Sequence, residues 1–404
     1  MKSDRSETLA YRSRGVYIGF ARNKSLRRMS KSKSDTEGKT ITSYELLERS
    51  ARAALDIQRG DGSFPPGRNG VYDEPETPVR TTSLWLTTLS KVYEITGDEE
   101  LAEAANEAAD YLLSEEARPH GYTFHSRNAE GKDKCDGLVG QAAPIRGLAW
   151  ASSSLDRPEL GSIAKDIFSI HPFDKQLGLW ERIETDGSNI SFDRTLNHQI
   201  QFAGAAAHLA SQFPSIEMLI LRFADQLTSK IALRSDGIIR HYVRPSLGPA
   251  IRAVGEDPRH WKLLLNPILC RIYTASSRRK RKEVGYHPVN LLALAHIQAK
   301  METPVFQRNH ERDLIKRITS ADTISSISKS NICCGSMTPG IDIAVALLKF
   351  QRAGLNQVTQ WIELDLKKKY DTDSSMLSKE TMDPEFQAAT ISHMVDLPNL
   401  DLEI

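Results

Sequence analysis

The 404-residue chain is 40% hydrophobic and 26% charged, with 24 Gly and 18 Pro, an ordinary globular composition that supports a large core. It excludes small stapled folds and collagen-like or low-complexity chains. Fifty-three Lys and Arg against 52 Asp and Glu leave a net charge of +1, which argues against a specific nucleic-acid partner and against a strongly acidic protein.

Residues 1–34 hold ten basic and two acidic side chains, a local charge of +8 that leaves −7 for the remainder. This composition predicts a disordered basic tail over residues 1–40. Val16-Tyr-Ile-Gly-Phe20 within it offers a small apolar contact for an anionic membrane surface. The apolar stretch from Gly15 to Ala21 is too short for a secretion signal, and no window of about 20 apolar residues exists for a membrane span. The expectation is a cytoplasmic protein with peripheral contact at the cytoplasmic membrane face. Cys135, Cys270, Cys333 and Cys334 form no C-x-x-C pair, so neither a zinc cage nor a disulfide framework is expected, and no metal or cofactor.

Beyond the tail, apolar residues recurring three and four apart predict helices at 43–58, 81–96, 99–114, 137–154, 157–170, 194–211, 215–231, 288–300, 305–319, 340–354, 357–369 and 384–396. Between several of them stands a Gly followed by β-prone residues: Gly62-Ser-Phe64, Gly121-Tyr-Thr-Phe124, Gly178-Leu-Trp180 and Gly237-Ile-Ile239. Their spacings of 59, 57 and 59 residues mark a repeated unit of helix, tight turn, polar loop and second helix. Six units account for residues 41–404 as a single all-α domain with an insertion near 242–285. Twelve helices favour closure into an (α/α)6 toroid, six inner and six outer helices with short β-hairpin-like turns, because closure removes the ends an open solenoid must cap. The inner helices are 81–96, 137–154, 194–211, 288–300, 340–354 and 384–396, since segments such as Phe202-Ala-Gly-Ala-Ala-Ala-His-Leu209 have no charged face to give to water. The insertion predicts an extra helix from Arg259 to Thr274, followed by Arg278-Arg-Lys-Arg-Lys282, which reads first as a solvated loop and alternatively as an anion contact.

In such a ring the long loops converge on one mouth, where six helix N-termini favour an anion. The loops supply Asp73, Glu74, Glu76 and Arg80; His125, Arg127 and Asp136; Trp180, Arg182, Asp193, Arg194, Asn197 and His198; then Arg240, His241, His287 and Asn290. Arg suits carboxylate or phosphate, His moves protons near neutral pH, and Trp offers a face to a sugar ring, so the set suits an acidic carbohydrate. Asp136, Asp193, His198, His241 and His287 are the candidate catalytic groups. Arg80, His125, Arg127, Trp180, Arg182, Asn197 and Arg240 are the candidate substrate contacts. Structural alternatives stand beside them: Asp136 and Asp193 as helix N-caps, His198 as a core histidine, Trp180 as filling between units, and Asp73-Glu-Pro-Glu76 as a solvated loop.

Asp136-Gly-Leu-Val-Gly-Gln-Ala142 with Gly147-Leu-Ala149 resembles the Gly-Gln-Ala inner helix of unsaturated glucuronyl hydrolases. That resemblance implies a toroid in which Asp136 acts as acid and base on a uronic acid. Arg80-Thr-Thr-Ser-Leu-Trp85, Asp136 to Ala149, Asn197-His-Gln-Ile-Gln-Phe-Ala203 and Tyr286-His-Pro288 are similar to the AglQ-like proteins of archaeal N-glycosylation clusters. This implies a toroid that helps build or remodel a hexuronic-acid-containing glycan, with an acidic oligosaccharide or lipid-linked glycan as partner. Three reactions follow from these readings: sugar isomerisation or epimerisation, hydrolysis of the unsaturated-uronide type with Asp136 and Asp193 as the acids, and glycan binding without catalysis. The His-rich loops favour the first, and the Asp136 motif favours the second.

Overall fold

A computed structural model describes residues 40–272, 276–302, 305–306, 309–328 and 337–404. The basic segment expected to contact a membrane, residues 1–39, and Cys333 and Cys334 lie outside the described residues. Fifteen α-helices occur among those residues: α1 Ser43–Leu55, α2 Val79–Thr96, α3 Glu99–Leu113, α4 Val139–Ser154, α5 Pro158–Ser169, α6 Leu196–Ala206, α7 Pro214–Lys230, α8 Leu247–Glu256, α9 Asn266–Ile272, α10 Ser277–Lys300, α11 Asn309–Ile318, α12 Ala321–Ser328, α13 Pro339–Lys349, α14 Leu355–Lys369 and α15 Pro384–Ala389. A 3-10 segment, Thr390–Asp396, continues α15.

The chain forms an (α/α)6 toroid. The inner wall runs α2, α4, α6, α10, α13 and α15 with its 3-10 extension, which returns to α2 and closes the ring. Helices α1, α3, α5, α7, α11 and α14 make the outer layer. Closure is fastened where strand Thr40–Thr42 pairs antiparallel with Asp401–Glu403. The adjoining Ser43 amide donates to the Leu400 carbonyl at 2.8 Å, and α1 begins on a Thr42/Glu45 capping box.

Inner helices fit this tight ring because their surfaces are small. Gly147 of α4 lies against the Ser83 carbonyl of α2, where an added Cβ would come within 2.7 Å of that oxygen. The hydroxyls of Ser83, Thr87 and Thr88 donate back to carbonyls four residues earlier, so these buried side chains of a Ser/Thr-rich α2 find partners within the helix. Proline opens α5, α7, α13 and α15, where its missing N–H costs nothing.

Three expected elements change. The insertion holds α8, a 3-10 helix Pro258–Leu265 and α9 in place of one helix from 259 to 274. Helix α10 begins at Ser277, eleven residues before the expected start, and continues through Pro288 because buried Glu283, Val284, Gly285 and His287 pack its first turns against the ring. Arg278 to Lys282 are therefore helical and not a loop. The final inner helix tightens to 3-10 at Thr390, whose hydroxyl donates to the Gln387 carbonyl at 2.6 Å.

Candidate functional site

The repeat itself positions the site. Each of Gly62, Gly121, Gly178 and Gly237 sits between the end of an outer helix and the start of the next inner one, at φ between 58° and 82°, a left-handed turn that suits glycine. Just beyond it a buried side chain (Phe64, Phe124, Trp180 or Ile239) anchors the strand, and its backbone N–H is accepted by an inner-helix side chain. The acceptors are Thr82 Oγ1 at 2.9 Å, Gln141 Oε1 at 2.7 Å, Gln199 Oε1 at 3.0 Å and His287 Nδ1 at 3.1 Å. The Gln141 amide also donates to the Cys135 carbonyl at 2.8 Å, and the Gln199 amide to that of Asp193 at 2.9 Å. These clamps hold the loops that present Asp136 and Asp193.

His287 is thus the fourth clamp and not a proton carrier. Its Nδ1 accepts from Ile239, so Nε2 carries the proton and donates to the Ile318 carbonyl at 2.9 Å; burial lowers its pKa to about 4. Trp180 is also corrected: it is fully buried among Phe168, Phe173, Phe202 and Phe223, so it fills the gap between units and offers no face to a sugar. Arg240 spends its guanidinium on the Cys270 carbonyl at 2.7 Å, and neither it nor His125 lines the cavity.

A cavity of about 1010 Å³ opens at the mouth of the ring. Of the candidate catalytic and contact residues, Arg80, Arg127, Asp136, Asn197, His198 and His241 line it, with Glu74 from the same loops. Asp136, at φ 53°, does not cap α4: its carboxylate is gripped by Arg80 Nη2 at 2.7 Å and Arg127 Nη1 at 2.5 Å. Arg80 also pairs with Glu76 at 3.0 Å, and burial raises the Glu76 pKa to about 7. Arg182 stands behind this wall, on Asp133 at 3.2 Å.

Asp193 is buried just outside the cavity and accepts from the amides of Thr195 at 3.0 Å and Leu138 at 3.2 Å and from His198 Nδ1 at 2.8 Å. Burial opposes its ionisation, yet His198 and Arg182 hold the carboxyl well below the usual carboxylate range. An ionised Asp193 only accepts, which places the His198 proton on Nδ1 and leaves Nε2 as a base. Nearby His241 has its pKa lowered to about 3, by burial and then by Lys282, so this imidazole is neutral and suited to donate a hydrogen bond.

The sequence reading missed a second dyad. His393 Nδ1 meets Asp342 Oδ1 at 2.7 Å, with Asp342 fully buried and His393 on the cavity wall. A carboxylate inside Ile341-Asp-Ile-Ala-Val-Ala, on an inner helix with no other charge before Lys349, was the available signal. His198 stands on the third inner helix and His393 on the sixth, so the two dyads occupy opposite walls.

Deeper, Asp396 meets His296 Nε2 at 3.3 Å, Lys300 Nζ at 3.3 Å and Arg146 Nη2 at 3.7 Å. Ligand-type atoms of His208, His296 and Asp396 lie within 4.8 Å of one another. Lys300 and Arg146 already supply two positive charges to this carboxylate, which makes the cluster an ion-pair network better than a cation site. At the rim, Arg278, Arg279, Arg281 and Lys282 of α10 face the opening with Lys132, Tyr72 and Tyr286.

No protein-family model matches the chain. The archaeal glycosylation protein Q of Haloferax volcanii is 36% identical over 366 residues, spanning 89% of this chain and 98% of that protein. The chain belongs to the glycosylation protein Q family. Solved structures similar to this chain share its fold: cellobiose 2-epimerase from Bacillus thermoamylovorans (TM-score 0.59, 11% identity, 87% of this chain and 98% of that one) and a D-mannose isomerase (0.58, 12%, 88% and 96%). An α-1,6-mannanase from Salegentibacter is more distant, at 0.51 and 11% over 88% and 98%.

Proposed function

We propose that this protein is an epimerase or isomerase that acts on a uronic-acid residue of a glycan under assembly. The observation that carries the reading is the pair of His–Asp dyads, His198–Asp193 and His393–Asp342, on opposite walls of one cavity. Inverting a carbon next to a carboxylate requires removal of its proton on one face and return of a proton on the other, which is work for two bases of this kind. His198 Nε2 takes the C–H proton, the electron pair moves into the carboxylate as an enolate, and His393, which enters the step as the imidazolium, delivers its Nε2 proton from the far side; His198 is left protonated and His393 neutral, and the reverse direction exchanges the roles. Neutral His241 donates to a developing oxygen, and charge stabilisation comes from the wall. Eight cationic side chains line the cavity (Arg80, Arg127, Lys132, Arg146, Arg278, Arg279, Arg281, Lys282) against the carboxylates of Glu74 and Asp136, which favours an acidic sugar. Similarity to a glycosylation protein and to sugar epimerases and isomerases supports the same reading.

The two-carboxylate alternative has weaker support, because Asp136 is held between two arginines and Asp193 faces His198. Incubation with defined uronic-acid oligosaccharides in heavy water tests the proposal. Deuterium at a ring carbon with the glycosidic bonds intact is the expected result. Cleavage without exchange refutes it in favour of a hydrolase, and binding with neither refutes it in favour of a glycan-binding module.

A further inference from the structure

Helix α10 carries one stripe from rim to floor: Arg278, Lys282, Tyr286, Val289, Ala293 and His296, three and four residues apart, line the cavity together with Arg281 beside Lys282. The stripe is sorted by depth, with cations at the rim, then aromatic, then small apolar residues. Lys282 is held by aromatic faces and not by a carboxylate. Its Nζ lies 4.8 Å from the Tyr72 ring centre and 5.6 Å from that of Tyr286, while the two tyrosine hydroxyls meet at 2.8 Å. Among the described residues Arg278 and Arg281 form no salt bridge, and both are exposed although they border the cavity. Tyr286 also marks the level of the reacting groups, because its ring stacks on His241 at 6.0 Å. One helical turn separates Tyr286 from Lys282, about 6 Å along the axis, and Arg281 and Arg278 follow above.

We infer that the rim is a phosphate site and that the sugar enters the cavity as a glycosyl phosphate, its phosphate ester held by Arg278, Arg281 and Lys282. This rests on the reading of the cavity as a sugar site. A sugar seated at His241 places a phosphate on its anomeric carbon about one turn higher, level with these cations. Arg80, Arg127 and Arg146 deeper in the cavity are each paired with a carboxylate, so the charge left for a ligand is concentrated at the rim, where it answers a highly charged anion. Arginine forks and a lysine point charge match phosphate oxygens, and the tyrosine pair keeps Lys282 aimed at the opening. Two sources share this chemistry, a nucleoside-diphosphate sugar and a polyprenyl-phosphate sugar.

Calorimetric titration of the full chain tests the inference with glucuronic acid, glucuronic acid 1-phosphate, a uridine-diphosphate glucuronic acid, a short-chain prenyl-phosphate glucuronic acid and a diglucuronide. The 1-phosphate should bind at least about tenfold tighter than the free acid, with an advantage that shrinks as salt rises. An Arg278→Gln/Arg281→Gln variant should lose that advantage, its affinity for the 1-phosphate falling to that for the free acid. Equal affinities, an advantage that survives in the variant, or a diglucuronide that binds as tightly as the phosphate would overturn the phosphate site. Binding of inorganic phosphate that is lost in the variant, with no binding of any sugar, would uphold the site and overturn the sugar reading beneath it. A preference between the two phosphorylated carriers identifies the source.

Discussion

Replacing Asp193 with Asn is the sharpest test of the proposed chemistry, because it changes one atom in a fully assigned set of hydrogen bonds. Asp193 accepts three: Thr195 N–H on Oδ1, and Leu138 N–H and His198 Nδ1–H on Oδ2. Asparagine keeps the contact to Thr195 through its carbonyl and turns an NH2 toward the other two. His198 must then accept on Nδ1, which moves its proton to Nε2 and removes the base from the cavity. General base catalysis of this kind is worth about 10²- to 10⁴-fold, so exchange into substrate should fall by about that factor, some 3–5 kcal/mol of barrier. The Leu138 amide, now facing a second donor, should cost a further ~1–3 kcal/mol of stability. Proton NMR of deuterium incorporation, with thermal unfolding in parallel, reads both effects. His198→Gln should match the loss, and the double variant should add little to either single. If Asp193→Asn retains most of its exchange rate per folded molecule, or if the two losses multiply, the dyad argument is wrong.

Other consequences are measurable on the same protein. Glu76, with a pKa raised by burial from about 4.5 unfolded to about 7 folded, binds its proton more tightly in the native state, so this group's stabilisation is fully present below about pH 4.5 and lost as pH rises to 7. The loss is on the order of 3 kcal/mol, and denaturant titrations of Glu76→Gln should show a flatter profile across that window than the unmodified protein; parallel profiles refute the assignment. His287→Gln should fold and keep its activity, since Gln141 and Gln199 fill the same clamp in two other units, whereas His287→Ala should lose about 1–3 kcal/mol by orphaning the Ile239 amide. Loss of activity without loss of stability in His287→Gln would return that histidine to the site. The N-terminal charge of +8 should make full-length protein sediment with anionic vesicles at low salt and not with neutral ones, and replacing its ten basic residues with Gln should abolish this. Equal behaviour of the two proteins removes any membrane role for the segment.

Periodicity by itself determined the architecture. A glycine every 57 to 59 residues and inner helices without a charged face are local properties, and each unit can bury its apolar side only against like neighbours, so the ring follows from the pattern. The same reading put Asp136, His198, His241, Arg80 and Arg127 in the loops and helix starts that line the cavity, because polar residues ahead of an inner helix are carried to the mouth by topology. Only the tertiary structure decided which polar residue faces inward. Trp180 and His287 occupy sequence positions like those of the cavity-lining residues, yet the first anchors a turn in the core and the second clamps its own repeat, roles set by a partner at Phe202 or Ile318 that no local pattern discloses. The Asp342–His393 pair spans 51 residues and two inner helices, and Arg278 to Lys282 become a cavity rim only because α10 continues through Pro288. Such contacts depend on how helices face one another across a closed ring. A side-chain period along one helix records its own face and carries nothing of the face opposite.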